Sequence, residues 1–600
     1  MRRGLWLAAL AASLAPFGCG EKGTETTTEP EPLVAVVSAT PTEGDAPLVV
    51  TASGLESTGN PVTYEWDQDF DGVTFDVDAT GDTVSFTYNN WGIYTLALRV
   101  TDAEATTDIA TVTISVNTAG NAMPVASLAA SPLSGASPLA VTLDASGSTD
   151  SDGNILWYLW DFDYRDGTFT EEERTSGPSL VHTFYFPGDF TVAVKVLDDA
   201  GGWDVATVAV SVSDSIVTFP DPELEKAVRA AIGKDTGDIY ASDLEPVTML
   251  NAVGPEDDTA PDITDLTNID CLNNLVWLYL SRNSISDLSP LANLKNLQWL
   301  YIYENSVSDL SPLSGLLRLK GLFANLNSVS SVAPLAALSL LKDLNLADNS
   351  IADISPLGGL PALLSLTISG NTLSGGTLPA LPPTLERLTA SGCGLSDVSA
   401  LSALGALQWL DLSGNPLGDA STVSSLTNLQ YLNLAGCGLS TLPDLTALTA
   451  LRELNLSYNS TVSDWTPLGL LTWLRWLSLT DCNLSDLSFL QNLTQLQSLY
   501  IDRNSLTDLS PLASATGLIV LSASQNSLSD LSPLSGLLDL NYLNLDTNNI
   551  SEITPLVTNS QNGGLGTGDT VVLSNNPLST NAQNNDIPAL EANGVTVVYP

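Results

Sequence analysis

The stretch that decides the fold runs from residue 297 to residue 305 and reads Leu-Gln-Trp-Leu-Tyr-Ile-Tyr-Glu-Asn. Its pattern, Leu-x-x-Leu-x-Leu-x-x-Asn, recurs almost without interruption from residue 275 to residue 556. The last position of the pattern falls at Asn283, Asn305, Asn327, Asn349, Asn371, Cys393, Asn415, Cys437, Asn459, Cys482, Asn504, Asn526 and Asn548. Eleven of the twelve intervals between these positions are 22 residues long, and one is 23. A period this regular predicts a solenoid, in which each repeat forms one turn of a stack.

Each turn is predicted to contain one short β-strand. In the quoted stretch, Leu300 and Ile302 are the apolar positions, and Trp299 and Tyr301 alternate with them, which is the period of a strand. The Asn that follows is expected to bond backbone groups of adjacent turns, because an unpaired buried amide is costly. Cys fits the same position of the repeat.

A short helical turn is predicted on the other side of each repeat. Residues 309–313 read Asp-Leu-Ser-Pro-Leu, where Ser311 is the predicted N-cap and Pro312 a first-turn residue. No turn buries its own apolar face, so the stacking of turns must do so. The sequence therefore predicts an α/β leucine-rich-repeat solenoid with parallel β-strands on its concave face.

The repeats resemble those of bacterial internalin-type proteins over residues 217–600, down to the Ile-Ser-Asp-Leu-Ser-Pro-Leu of residues 285–291. The resemblance implies adhesion or recognition by the solenoid without specifying a receptor. Asp221 and Pro222 are predicted to start a helix that caps the first turn. We assign residues 217–262 to this cap and a first atypical repeat, residues 263–580 to the solenoid and residues 581–600 to a C-terminal cap.

Two all-β modules are predicted before the solenoid, at residues 33–117 and 124–213. Both contain short alternating strands separated by turn residues, which is typical of a β-sandwich. The Tyr-Glu-Trp-Asp of residues 64–67 and the Trp-Tyr-Leu-Trp-Asp-Phe of residues 157–162 resemble motifs of PKD domains, which are Ig-like. The resemblance implies that these modules act as spacers and that His182 has a structural role.

The first residues resemble a bacterial lipoprotein signal. Met-Arg-Arg precedes an apolar run at residues 5–18, which is too short to span a bilayer and ends at Gly-Cys-Gly. We expect residues 1–18 to be a signal peptide, and the resemblance implies that Cys19 becomes the lipidated first residue. An ordinary signal peptide is the alternative. Residues 19–32 have almost no apolar side chains and are expected to form a flexible linker.

Composition excludes several classes of partner. The 600-residue chain has 68 acidic and 19 basic residues, a formal net charge of -49. This excess argues against nucleic acid and against electrostatic docking on anionic lipid. We expect a monomer in the bacterial cell envelope, either a surface-exposed outer-membrane lipoprotein or a secreted protein, that contacts the membrane only through its N-terminal lipid. With a single histidine and no recognisable catalytic motif, the chain is not expected to be an enzyme.

The candidate partner-binding residues are aromatic side chains on the solvent side of the solenoid strands, which is the usual binding face. They are Trp277, Tyr279, Trp299, Tyr301, Tyr303, Phe323, Trp409, Tyr431, Trp476 and Tyr500. Such residues anchor protein interfaces, but aromatics also simply suit β-strands. A protein partner is the leading hypothesis. Stacked Trp and Tyr also suit sugar rings, so a cell-surface polysaccharide is the alternative.

Calcium is the one cofactor that the sequence suggests. Asp67, Asp69 and Asp71 stand at alternate positions before Gly72, which is how a Ca²⁺ loop opens. Loop position 12 is Asp78 rather than Glu, which excludes an EF-hand. The alternative is a strand-turn of the PKD module that carries extra acids.

An acidic column is predicted at the turn before each helical segment. Its members are Asp287, Asp309, Asp353, Asp397, Asp486, Asp508 and Asp530. Two interpretations are open. Neighbouring carboxylates are either bridged by cations, or they stand there because Asp favours turns and helix starts.

Overall fold

A computed structural model describes residues 33–103, 106–255 and 262–599. These residues fall into two compact units, one with two β-sandwiches and one with the solenoid. The predicted signal peptide, the lipidation of Cys19 and the linker up to residue 32 lie outside the described residues. None of the helices in the described part is long and apolar enough to cross a membrane.

The first sandwich packs a three-stranded sheet, in the order β1-β3-β6, against a five-stranded sheet, in the order β2-β8-β7-β4-β5. Its strands are β1 (Ser38–Thr40), β2 (Glu43–Asp45), β3 (Leu48–Ser53), β4 (Thr63–Asp67), β5 (Ala79–Thr80), β6 (Thr83–Tyr88), β7 (Gly92–Thr101) and β8 (Thr107–Asn117). Burial alternates along β3, as expected for a strand with one face on the core. Trp66 and Leu98 are fully buried between the sheets.

The second sandwich has the same arrangement, with sheets in the orders β14-β11-β9 and β10-β16-β15-β12-β13. Its strands are β9 (Ala129–Ser131), β10 (Ser134–Ala136), β11 (Leu139–Asp144), β12 (Ile155–Asp161), β13 (Glu173–Thr175), β14 (Ser179–Phe184), β15 (Gly188–Asp198) and β16 (Trp203–Ser213). Trp160 takes the buried place that Trp66 has in the first sandwich. His182 stacks on Phe162 at a centroid distance of 3.7 Å and is part of the packing.

The solenoid starts with a small cap. Strands β17 (Ile216–Val217) and β18 (Ile239–Tyr240) pair, and α1 (Pro222–Ile232) and α2 (Ala241–Leu244) adjoin them. Asp221 is the N-cap of α1, as predicted, because its Oδ1 accepts hydrogen bonds from the backbone N–H groups of Glu223 (3.0 Å) and Leu224 (3.1 Å). Its other oxygen accepts from the N–H of Thr264 (2.9 Å), so one carboxylate joins the cap helix to the first turn.

A 16-stranded parallel sheet runs through the solenoid, with strands paired in chain order. They are β19 (Met249–Asn251), β20 (Trp277–Tyr279), β21 (Trp299–Tyr301), β22 (Gly321–Phe323), β23 (Asp343–Asn345), β24 (Ser365–Thr367), β25 (Arg387–Thr389), β26 (Trp409–Asp411), β27 (Tyr431–Asn433), β28 (Glu453–Asn455), β29 (Trp476–Ser478), β30 (Ser498–Tyr500), β31 (Val520–Ser522), β32 (Tyr542–Asn544), β33 (Thr570–Val572) and β34 (Thr596–Val598). The repeat leucines form one continuous buried core. The predicted fold class is thereby confirmed.

Short helical segments complete the turns opposite the sheet. The 3₁₀ segments are Ile269–Cys271, Ser289–Leu291, Ser311–Gly315, Ala333–Leu335, Ser355–Gly359, Ser374–Gly376, Ser399–Ala403, Ser421–Ser425, Thr466–Leu470, Ser488–Leu490, Ser510–Leu512 and Ser532–Gly536. Near the end stand α3 (Thr554–Gln561), a π-helical turn (Ala582–Asp586) and α4 (Ile587–Ala592). The last strand, β34, pairs with β33 and so adds a further rung to the sheet.

The Asn position of the repeat bonds adjacent turns together, as predicted. Asn371 is fully buried, and its Nδ2 donates to the carbonyls of Leu346 (2.9 Å) and Ile368 (2.8 Å). Its Oδ1 accepts from the N–H of Ile351 (2.9 Å). One turn later the thiol of Cys393 donates to the carbonyl of Ile368 (3.2 Å), so Cys replaces the donor function of Asn.

Ser311 is not the N-cap of its helical segment, and that prediction was wrong. The 3₁₀ segment already includes Ser311, and the side chain that supports its start is Asp309. Oδ1 of Asp309 accepts from the backbone N–H of Ser311 (2.8 Å), and Oδ2 accepts from the Ser311 hydroxyl (2.6 Å). A carboxylate two residues ahead has two acceptors, so it satisfies both groups at once.

Candidate partner-binding surface

The solvent side of the solenoid sheet carries two columns of side chains, because each strand points its middle leucine inward and its two flanking residues outward. The first outer column is formed by the residue that begins each strand. From β20 to β29 it contains Trp277, Trp299, Gly321, Asp343, Ser365, Arg387, Trp409, Tyr431, Glu453 and Trp476. The second outer column is formed by the residue that ends each strand, such as Tyr279, Tyr301 and Phe323.

Six of the predicted residues form the N-terminal aromatic cluster, which we define as Trp277, Tyr279, Trp299, Tyr301, Tyr303 and Phe323. Trp277 and Trp299 stack at a centroid distance of 5.0 Å and an interplanar angle of 6°. In the second outer column, Tyr301 stacks on Tyr279 (4.7 Å) and on Phe323 (4.5 Å). All six side chains are half-buried. Stacking covers both faces of Tyr301 and one face each of Trp277, Trp299, Tyr279 and Phe323.

The other four predicted residues form two separate pairs. Trp409 and Tyr431 stack at 3.6 Å and 5°, whereas Trp476 and Tyr500 meet at 5.4 Å with a tilt of 45°. Burial raises the pKa of Tyr431 to about 12, and the nearby carboxylate of Asp411 acts in the same direction. Its hydroxyl is therefore a neutral hydrogen-bonding group at neutral pH. The ten residues thus form three groups rather than one continuous patch.

Two residues in the first outer column were not predicted as part of the surface. Gly321 lies under Trp299, since a Cβ at residue 321 would overlap Cε3 and Cζ3 of that indole. Arg387 places its guanidinium carbon 5.3 Å from the centroid of the Trp409 ring. Both could have been found from the sequence, because Gly321 and Arg387 begin a strand at the repeat position that is aromatic in Trp299 and Trp409.

Asp343 is a half-buried carboxylate in the same column. Burial raises its pKa, and the charges of Arg387 and Lys342 act in the opposite direction. Among the described residues, the Asp343 side chain has neither a hydrogen-bonded partner nor an ion pair. It is therefore an acceptor group that a molecule from outside the chain can use.

The acidic column on the helical edge has internal partners throughout. Each Asp accepts a hydrogen bond from the backbone N–H two residues later, at 2.7–3.1 Å. These bonds lower the pKa of Asp309, with the Ser311 hydroxyl contributing most and the Ser311 N–H next. The geometry favours the interpretation that these residues support turns and helix starts.

In the first sandwich, Asp67, Asp69 and Asp78 come together, with one oxygen from each within 4.8 Å of the others. Asp71 lies outside this group and accepts from the N–H groups of Val73 (2.8 Å) and Thr74 (2.7 Å) instead. Burial raises the pKa of Asp69, and the neighbouring carboxylates raise it further. Three oxygens from Asp side chains are ligands that Ca²⁺ accepts.

The second sandwich repeats this arrangement with an arginine beside it. Asp161 accepts from the N–H groups of Asp163 (3.1 Å) and Thr170 (2.7 Å), just as Asp67 accepts from Asp69 (3.1 Å) and Asp76 (2.9 Å) in the first. Its neighbour Asp163, however, pairs with Arg165 at 2.5 Å. The buried Asp thus has the same role in both modules, and the modules differ because the next carboxylate has an arginine partner in the second.

Comparison with protein families agrees with the two kinds of module. Residues 121–212 match the family described as the PKD domain. The family described as leucine-rich repeats (2 copies) matches residues 273–315, 427–469 and 472–514. The chain therefore carries leucine-rich repeats and a PKD domain, which confirms that part of the prediction.

Among curated proteins, the chain is 30% identical over 120 residues to Collagenase ColQ1 of Bacillus cereus (strain Q1), which is 20% of this chain and 12% of that protein. It is 30% identical over 227 residues to the dyslexia-associated protein KIAA0319-like protein of Mus musculus, which is 36% of this chain and 21% of that protein. The chain thus spans only a small part of either relative.

Among solved structures, an internalin (inlF) of Listeria monocytogenes is 26% identical with a TM-score of 0.37, over 64% of this chain and 91% of that one. A leucine-rich-repeat protein of Leptospira interrogans is 24% identical with a TM-score of 0.49, over 55% and 86%. The functional domain of InlJ from Listeria monocytogenes is 23% identical with a TM-score of 0.47, over 60% and 82%.

Proposed function

We propose that this protein is a lipid-anchored bacterial surface protein that binds a protein partner through the solvent side of its solenoid sheet, with the PKD modules as spacers. The observation that carries the proposal is the N-terminal aromatic cluster, with six half-buried aromatic side chains on three adjacent strands and turns. Large aromatic residues with polar atoms are what protein interfaces use as anchors.

A protein partner is favoured over a polysaccharide by the way the rings stack. A sugar ring packs on an open aromatic face, and six of the twelve ring faces in the N-terminal aromatic cluster are covered by the next ring at 4.5–5.0 Å. Edges and hydroxyl groups remain for a partner with varied side chains. The polysaccharide stays as the second candidate, because the rings at the end of each stack keep one face without an aromatic neighbour.

Anchoring through Cys19 and a role in binding rather than catalysis belong to the same proposal. The chain has one histidine, and burial lowers the pKa of that residue, His182, to about 4, so it is unsuited to proton transfer at neutral pH. The mature protein is expected to partition into the detergent phase of a detergent extraction. Partition into the aqueous phase would contradict the lipid anchor, and Cys19→Ser is the control that should move there.

The function is tested by binding of soluble protein, residues 33–600, to a panel of bacterial and animal cells before and after protease treatment. The test variant combines Trp299→Ser with Tyr301→Ser, and the matched control combines Ser365→Ala with Thr367→Ala in the same two columns. We expect binding that is lost on protease treatment and in the test variant only. Protease-resistant binding would favour the polysaccharide, and equal binding by both variants would refute the aromatic surface as the site.

A further inference from the structure

A group of basic side chains lies on the flank of the solenoid that leads into strands β21, β22 and β23. We define this basic patch as Lys295, Arg318, Lys320 and Lys342, which are four of the nine basic residues that follow residue 262. They come from three successive turns, whose segments 289–303, 311–325 and 333–347 contain a single acid, Asp343. The patch is therefore a local reversal of charge in a chain with 68 acidic and 19 basic residues.

Two of these cations are direct neighbours in the stack. The backbone N–H of Lys342 donates to the carbonyl of Lys320 at 2.8 Å, so the two side chains begin about one strand spacing apart, ~4.8 Å. Like charges on adjacent strands repel each other and do not help the stack to form. Lys342 is exposed and Lys320 is half-buried, so both can be reached by a molecule from outside the chain.

Neutral groups hold the other two cations in place. Nη1 of Arg318 donates to Oδ1 of Asn296 at 2.8 Å, and Nδ2 of Asn296 donates to the carbonyl of Asn273 at 3.2 Å. Nζ of Lys295 donates to the carbonyl of Gly315 at 3.3 Å. These partners orient the cations without cancelling their charge. Among the residues that the structure describes, none of the four members of the basic patch forms an ion pair.

Exposed leucines stand between the cations. Leu317 is 57% exposed and directly precedes Arg318, and Leu340 is 45% exposed and stands two residues before Lys342. Lys320 immediately precedes β22, the last strand of the N-terminal aromatic cluster, so the basic patch adjoins that cluster. A molecule that covers the patch meets apolar and cationic groups together. This mixture suits a protein surface better than a uniformly charged polymer.

Another repeat shows that the fold does not require these cations. Residues 311–317 and 532–538 both read Ser-Pro-Leu-Ser-Gly-Leu-Leu, and both turns form a 3₁₀ segment over the first five of these residues. Arg318 and Lys320 follow in the first turn, whereas Asp539 and Asn541 stand at the same positions of the second. Because the stack accepts an acid and a neutral residue there, the basic residues have a role other than building the turn.

We propose that the basic patch binds an acidic segment of the protein partner, in which Asp or Glu side chains alternate with apolar ones. The inference rests on the proposed function and specifies the chemistry of the partner. The patch spans two strand spacings, about 10 Å, which an extended segment of about three residues covers. The net charge of -49 does not prevent this contact, because charges more than about 8 Å apart are largely screened at physiological ionic strength.

The test observes the lysine side chains of the full protein directly. The chain has seven lysines, and reductive methylation with ¹³C-formaldehyde gives each amine an NMR signal while keeping its charge. The probe is the peptide acetyl-Glu-Leu-Glu-Leu-Glu-amide. We expect saturable shifts for Lys295, Lys320 and Lys342, and none for Lys226, which is paired with Glu223 on the cap helix. Absence of shifts in the patch, or equal shifts at Lys226, would overturn the proposal, as would an equal response to acetyl-Lys-Leu-Lys-Leu-Lys-amide.

The test variant combines Arg318→Asp with Lys320→Asn, and so uses side chains that the stack already accepts at these positions. We expect the affinity reported by the Lys342 signal to fall about tenfold, since exposed charge contacts are lost and one is reversed. The matched control combines Arg475→Asp with Arg452→Asn, which changes the net charge by the same amount. Equal losses in both would contradict the proposal. If the test variant unfolds at lower temperature, Lys342→Gln, read on the Lys320 signal, takes its place.

Binding to the cell panel separates this inference from the proposed function. Loss of protease-sensitive binding in the Arg318→Asp, Lys320→Asn variant would support the acidic segment. Loss of protease-resistant binding would overturn it, because the anionic group would then belong to a surface polymer. If this variant binds normally while the Trp299→Ser, Tyr301→Ser variant does not, the aromatic surface is correct and the acidic segment is wrong. If neither variant loses binding, the proposed function itself fails.

Discussion

At the scale of single residues, the last position of the repeat shows why one side chain is repeated so strictly. Asn371 joins three backbone groups in the core, the carbonyls of Leu346 and Ile368 and the N–H of Ile351. Cys is accepted at the same place because its thiol still donates to one of those carbonyls, as Cys393 does. Burial raises the pKa of Cys393 to about 11, so it remains a thiol and keeps its proton for that bond.

Asn371→Ala should therefore destabilise the solenoid more than Asn371→Cys. Alanine leaves the carbonyls of Leu346 and Ile368 and the N–H of Ile351 without this partner, and we expect a loss of about 1–3 kcal/mol in the free energy of unfolding. Cysteine should restore part of that loss. Urea unfolding of the two variants and the parent protein measures the difference, and equal stability of the two variants would contradict the role of the donor.

His182 is a second residue whose environment is unusual. Its ring stacks on Phe162 at 3.7 Å and meets Phe184 edge-on at 4.7 Å. This burial disfavours the charged imidazolium and lowers the pKa to about 4. The folded state then binds a proton less readily than the unfolded chain, whose histidine has an ordinary pKa of 6.5. The contribution of neutral His182 to stability is complete above pH 6.5 and is lost as the pH falls toward 4.

This pKa can be measured directly because the chain has only one histidine. We expect the signal of ¹³C-labelled histidine in the folded protein to titrate with a midpoint near pH 4. A midpoint near 6.5 would mean that the ring is solvated. In His182→Gln, the thermal unfolding temperature of the second sandwich should change less between pH 7 and pH 4 than in the parent protein.

At the scale of elements, variants of the acidic column can test whether its carboxylates support turns or bind cations. Asp309→Ala removes both bonds to Ser311, whereas Asp309→Asn keeps one carbonyl acceptor. We expect the solenoid of the alanine variant to unfold at lower temperature than the solenoid of the asparagine variant, and Ca²⁺ or Mg²⁺ to change neither of these solenoid transitions. A parent protein whose solenoid transition is stabilised by divalent cations, and an alanine variant whose solenoid has lost this response, would support cation bridging instead.

The three clustered carboxylates of the first sandwich, in contrast, are expected to bind Ca²⁺. Because Asp69 lies close to Asp67 and Asp78 with a raised pKa, a bound Ca²⁺ would relieve their repulsion. We predict that Ca²⁺ raises the unfolding temperature of the first sandwich in the parent protein and in Asp71→Asn, but not in Asp69→Asn. Calorimetry checks this prediction. If Ca²⁺ does not change the unfolding temperature of the parent protein, these carboxylates belong only to the strand-turn and do not form a Ca²⁺ site.

At the scale of the whole molecule, the stability of the solenoid depends on how its ends are closed. The last segment buries Ile587, Leu590 and Val595 against the final turns, and β34 completes the sheet. A protein that ends at residue 580 would expose this apolar surface and an unpaired strand. We expect it to unfold at lower temperature and to aggregate, as measured by calorimetry and light scattering. A protein that ends at residue 598 is the control and should behave like the parent.

Much of the architecture could be predicted because it follows from short-range periodicity. The 22-residue interval places Leu300 and Leu322 on the same inward column, and the alternation within each strand directs Trp299 and Tyr301 outward. These are properties of neighbouring positions in the chain, and each of about a dozen repeats gives the same signal. The amino-acid sequence by itself therefore determines the solenoid, the sandwiches and the aromatic columns.

What the sequence could not determine depends on contacts between residues that are distant in the chain. The carboxylate that joins Asp67 and Asp69 is Asp78, which pairing of β4 with β5 brings close, and not Asp71, whose oxygen is taken by local N–H groups. Likewise, only packing between turns places the Trp299 indole over Gly321. Periodicity specifies which face a side chain occupies, but rotamers and partners depend on the space that neighbouring turns leave, and that space exists only in the folded stack.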